Sequence, residues 1–100
     1  MTPDEQPVTL IGRRLPPWAQ ARVSILAPGE RRIYEDAEWR GALVVVERGV
    51  IELECVGGDR WRFEEGDVLY LGGLPLRALH NAGSRQTVLS ALCRRRAAAG

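Results

Sequence analysis

Apolar residues enter this chain in short alternating bursts, not in helical stripes. The clearest burst is Val50-Ile51-Glu52-Leu53-Glu54-Cys55, which sets Ile51, Leu53 and Cys55 against Glu52 and Glu54. Side chains alternate across a strand with a period of two, so this segment predicts a half-buried β-strand. Similar runs are Val8 to Ile11, Arg22 to Leu26, Ala42 to Val46, Arg60 to Phe63, Val68 to Leu71 and Thr87 to Cys93. Turn chemistry separates them: Ala27-Pro28-Gly29, Arg48-Gly49, Val56-Gly57-Gly58-Asp59, Glu65-Gly66-Asp67 and Asn81-Ala82-Gly83-Ser84. Glycine supplies the positive φ that tight hairpins require. No segment of helical length has a clean helical period, and Pro16 to Ala21 has room for one helical turn. The pattern predicts an all-β sandwich or small barrel. Such folds must hide their edge strands, by closure or by pairing with a second subunit.

Length and composition narrow the chemistry. One hundred residues suit a single domain over 1–100, with residues 1–7 and 97–100 expected as loose tails. All fourteen basic residues are Arg, so a Schiff-base lysine and a Walker-type phosphate loop are excluded. One His and two Cys exclude a His-rich metal site or a four-cysteine zinc site within the chain. The first residues are acidic and no apolar leader follows them. The longest uncharged apolar stretch, Val68 to Leu76, is broken by Gly72, Gly73 and Pro75 and falls far short of the ~20 residues of a membrane helix. These features predict a cytosolic protein with no membrane partner and with Cys55 and Cys93 reduced. The triplet Arg94-Arg95-Arg96 stands alone in a chain of formal charge +1, so it reads as a solvated terminus and no nucleic-acid partner is expected.

From Pro28 to Asn81, just over half the chain, the spacing of glycines resembles the cupin superfamily. That family carries two motifs. One opens on Gly, holds a His-x-His pair and a Glu, and closes on Gly. The other opens on Gly and runs through Pro, Gly and His to Asn. Gly29 and Gly49 match the ends of the first, and Gly66 and Asn81 match the ends of the second. The resemblance implies a small cupin-type jelly-roll, or double-stranded β-helix, barrel. It also implies a homodimer. The metal-holding positions depart from the pattern. The His-x-His pair falls on Glu35 and Ala37, or on Asp36 and Glu38, the Glu falls on Ala42, and the second-motif His falls on Arg77. The motif Pro falls on Gly72 and its Gly on Leu74. The expectation is a cupin-like barrel without metal or other cofactor.

The candidate site then gathers around Arg77, in the place of a missing imidazole. A guanidinium inside a small barrel needs a partner. Glu35, Asp36 and Glu38 are the expected ones, and the alternative is a bidentate grip on a small anionic or polar organic ligand. Trp39 and Tyr70 offer apolar bodies with polar tips for the same cavity, although core packing suits them equally. His80 lies an odd number of residues from Arg77, which turns it to the opposite strand face. The leading functional reading is a metal-free binding or regulatory module. The alternative is a metal-independent isomerase or cyclase in which His80, Tyr70 and one of the three acids converge. A metalloenzyme built on carboxylates and His80 is a third reading. An oligonucleotide-binding barrel is disfavoured, because acids and arginines interleave along the same strands.

Overall fold

The structure is a computed structural model that describes residues 9–12, 14–39 and 41–94. Among them, the order of elements is β1 (Ala19–Leu26), β2 (Arg31–Ile33), α1 (Asp36–Trp39), β3 (Leu43–Arg48), β4 (Val50–Cys55), β5 (Arg60–Glu64), β6 (Val68–Tyr70), β7 (Leu76–His80) and β8 (Thr87–Arg94). The strand β4 is the alternating burst met first in the sequence. Its hairpin to β5 closes through Cys55 N to Asp59 O at 2.8 Å and Gly58 N to Cys55 O at 2.9 Å. Gly58 sits at φ 98° there, as the turn requires.

The strands form two four-stranded antiparallel sheets, ordered β1-β8-β3-β6 and β2-β7-β4-β5. This is a jelly roll, in which two sheets face each other and every strand connection but the β4–β5 hairpin crosses between them. The core lies where the inner faces meet. Leu26, Val44, Val46, Leu69, Leu89 and Ala91 come from one sheet, and Ile51, Leu53, Cys55 and Leu79 from the other. Trp39 and Ala42, on and just after α1, join the same cluster.

Some expectations shift. The Val8 to Ile11 run is not a strand over its described residues. Leu10 N donates to the Glu47 carboxylate at 2.8 Å and the Thr9 hydroxyl donates to its other oxygen. A side chain therefore satisfies this backbone in place of a ladder. The one helical turn falls at α1, not at Pro16 to Ala21. After a turn in which Ala19 N donates to Pro16 O at 3.0 Å, residues 19–26 pair along the whole of β8. The pattern did not announce β2 and β7. The first has three residues, too few for a period, and a bulge between Leu76 and Ala78 breaks the alternation of the second. The expected tails and the residues Arg95 and Arg96 lie outside the described part. Among the described residues, no helix is long and apolar enough to cross a membrane. Cys55 and Cys93 are free thiols.

Candidate functional site

Pairing along β7 jumps between Glu54–Ala78 and Cys55–Leu76, so Leu76 and Arg77 together face a single residue of β4. A bulge of this kind bends the strand and re-aims its side chain. Arg77 therefore points out of the barrel, not into it, with 52% of its side chain exposed. Its Nη2 donates to Val56 O at 3.1 Å, and its Nη1 lies 4.0 Å from Glu54 Oε2. The expected ion pair with Glu35, Asp36 or Glu38 gives way to Glu54. The same bulge cancels the odd offset to His80, so Arg77 and His80 meet one carboxylate instead of opposite faces. His80 stands opposite Glu52 in register, and cross-strand partners share a face. It is thus on the outer face of the β2-β7-β4-β5 sheet, away from Leu53 and Leu79.

The remaining predicted residues are dispersed. Glu35 and Asp36 are exposed and Glu38 is half-buried around α1, where the Tyr34 hydroxyl donates to Asp36 Oδ1 at 3.2 Å. The Glu38 carbonyl accepts from Arg22. Trp39 is a core residue, 1% exposed, with its indole N–H buried and unpartnered. Tyr70 lies on the outer face of the opposite sheet, its ring packed over Gly72, where a Cβ would come within 2.7 Å of the ring. His80, Tyr70 and the three acids thus occupy separate surfaces. The isomerase or cyclase constellation is not assembled.

Glu54 is the hub of the charged outer face. Its oxygens take Arg31 Nε at 3.2 Å and Nη2 at 3.3 Å, and His80 Nε2 lies at 2.6 Å. Arg60 at 3.9 Å and Arg77 at 4.0 Å complete the ring of cations. The hydrogen bonds from Arg31 and then His80 outweigh desolvation and draw the Glu54 carboxyl from 4.5 down to about 2. A lowered carboxylate stabilises the fold fully above the unfolded value and loses that contribution as pH falls through the folded one. Wild type should therefore melt above Glu54→Gln at neutral pH. The gap should close between about pH 5 and pH 2. Thermal melts across that range check this, and a gap of constant size would refute it.

The metal implied by the cupin resemblance does not fit the residues present. Among the described residues no group of three His, Cys, Asp or Glu could hold a metal ion. The single imidazole faces Glu54 in a field of guanidiniums, a poor setting for a cation. The inner-facing residues near the expected ligand positions are Ala42, Leu76 and Leu79, all apolar.

Two arginines outside the sequence-predicted site share a groove of about 560 Å³ with Ile11, Glu47, Gly49, Glu65, Gln86 and Val88. They are Arg48 and Arg85. Arg48 follows a register shift in β3, and Arg85 follows the Asn81 turn. Both flank glycine turns, where the sequence offered only turn chemistry as a signal. Both backbones are held firmly. Asn81 is buried, and its Nδ2 donates to Leu26 O at 3.0 Å and to Arg85 O at 2.7 Å, while Gly83 N donates to its Oδ1 at 2.9 Å. Gly49, at φ 77°, lies so close to this loop that a Cβ would fall 2.7 Å from Gln86 O. Glu47 borders the groove. Burial raises its carboxyl, but hydrogen bonds from Thr9, Ser90 and the Leu10 and Ile11 amides outweigh that and hold it below the ordinary value.

The two outer faces differ in kind. The β2-β7-β4-β5 face is laced by ion pairs among Arg31, Glu52, Glu54, Arg60 and Arg62. The β1-β8-β3-β6 face exposes Val23, Ile25, Leu43, Val68 and Tyr70, each at least 45% accessible. By register Leu43 pairs with Tyr70, while buried Ser90 and Val45 lie between Val23 and Val68.

No family model and no curated protein matches the sequence. Solved structures do match. A Cupin 2 conserved barrel domain protein from Salinispora arenicola superposes with a TM-score of 0.53 at 25% identity, over 80% of this chain and 71% of that one. The Cupin_2 domain of an XRE family transcriptional regulator from Enterobacter cloacae gives a TM-score of 0.55 at 25% identity, over 82% of this chain and 93% of that one.

Proposed function

Because the chain belongs to the cupin superfamily, we propose that it is a metal-free binding module with no catalysis of its own. It acts as a homodimer in the cytosol, takes up a small anionic or polar organic ligand, and exerts its effect through another polypeptide. The observation that carries this is the asymmetry of the two outer faces. One is charged and largely self-paired. The other presents five large apolar side chains to water, with Leu43 and Tyr70 side by side. Large apolar side chains gathered on one exposed sheet face suit an interaction site. A second copy of the same face suits it, since a two-fold interface is self-complementary. The Enterobacter cloacae relative, a cupin domain of a transcriptional regulator, supports a regulatory role. The dispersal of His80, Tyr70 and the acids weighs against an enzyme.

Light scattering on the eluting protein tests the dimer. Wild type at micromolar concentration should have twice the chain mass. The Val23→Glu/Tyr70→Glu double variant should be monomeric with an unchanged circular dichroism spectrum. A monomeric wild type overturns the dimer.

A further inference from the structure

We propose that the groove between the β3–β4 turn and the loop after β7 binds a small hydroxylated organic anion, with Arg48 and Arg85 gripping its carboxylate or phosphate. This rests on reading the chain as a ligand-binding module and names the site and the ligand class.

Three observations converge. The first is charge without a partner. Among the described residues, Arg31, Arg32, Arg60, Arg62 and Arg77 each have an acid within 4.0 Å, whereas Arg48 and Arg85 have neither an ion pair nor a side-chain hydrogen bond. Guanidinium forks match the oxygens of carboxylate and phosphate in bidentate fashion. The second is rigidity beneath them. Arg85 follows a loop pinned by the buried Asn81, and Arg48 precedes Gly49, which packs against the Gln86 backbone. Donors fixed before binding lose little freedom on binding. The third is size and lining. About 560 Å³ lies within the range of small-molecule sites, and Ile11 and Val88 supply an apolar wall. A second recess of about 200 Å³ continues from Gly49 and Arg85 to Arg62 and Ser84.

The acids in the groove refine the ligand. Both Glu47 oxygens already accept from Thr9 and Leu10. Glu65 has no such partner and can only accept, so it calls for a hydroxyl on the ligand. A bare oxyanion leaves Glu65 unused, and a neutral polyol leaves both arginines unused.

Amide chemical-shift titration of the full chain with glucose 6-phosphate, gluconate, inorganic phosphate and glucose tests this. The two hydroxylated anions should bind in the millimolar range or tighter and shift the amides of residues 48, 49 and 83–86. Glucose should not bind, and phosphate alone should bind at least about tenfold more weakly. Arg48→Ala and Arg85→Ala should each weaken binding by about tenfold or more while the spectrum stays folded. Arg48→Lys should restore only part of it, because an ammonium lacks the fork. Binding that shifts the Arg31, Arg77 and His80 amides, and is unchanged in both alanine variants, would overturn the site while leaving a ligand-binding module intact. No shift with either anion at millimolar concentration would overturn both.

Discussion

Replacing Trp39 by alanine should lower stability by about 3–5 kcal/mol, the range for emptying a buried aromatic site. Trp39 is 1% exposed and touches the cluster in which both sheets meet. In a domain of this size that loss corresponds to a fall of roughly 12 °C or more in the melting midpoint. Trp39→Phe should behave differently. The indole N–H is buried without a hydrogen-bond partner, and such a group costs about 1–3 kcal/mol. Phenylalanine removes that cost while opening a smaller cavity. The two effects offset, so Phe should remain within about 1.5 kcal/mol of wild type. Urea unfolding of the three proteins measures the contrast. If Phe is as damaging as Ala, the indole N–H is contributing a bond and the account of this site fails.

Asn81→Ala should be the second large loss. Its side chain donates to Leu26 O and Arg85 O and accepts from Gly83 N, tying the end of β1 to the loop before β8. Removal leaves these groups unpaired at about 1–3 kcal/mol for each that stays buried, so a total near 3 kcal/mol is expected. Asn81→Asp keeps the acceptor for Gly83 but loses both donors and buries a charge, and should be no better. Equilibrium unfolding gives the totals. Hydrogen exchange at Gly83 should accelerate in the alanine variant beyond what global destabilisation explains. A loss under about 1 kcal/mol in Asn81→Ala would mean that water takes over the three bonds. The same side chain supports the loop that presents Arg85, so its loss should also weaken anion binding in the groove.

The fold was largely legible because its signals are local. Ile51, Leu53 and Cys55 alternate with Glu52 and Glu54 whatever the strands beside them. Gly49, Gly58 and Gly66 adopt positive φ in the turns where the sequence placed them. Asn81 caps nearby backbone as turn chemistry predicts, and it also reaches Leu26, 55 residues away. The site was not legible, for a reason visible at Arg77. Extrapolating by alternation requires an unbroken ladder, and one bulge beside Cys55 reverses the face on which every preceding residue of β7 is counted. Arg48 was passed over beside a similar shift in β3.

The sequence, read alone, settled that this is a chain of short strands with glycine turns, and that lysine chemistry and a His-rich metal site are absent from it. Those properties depend on each residue and its immediate neighbours. Partnership is another matter. That His80, Arg31, Arg60 and Arg77 surround Glu54, that Trp39 closes a core, and that Arg48 and Arg85 share a groove all depend on contacts between residues far apart in the chain. Register and bulges set such contacts, and a shift of one residue moves a side chain from core to solvent. Only the folded pairing of β4 with β7, and of β3 with β8, decided where the charges of this protein meet.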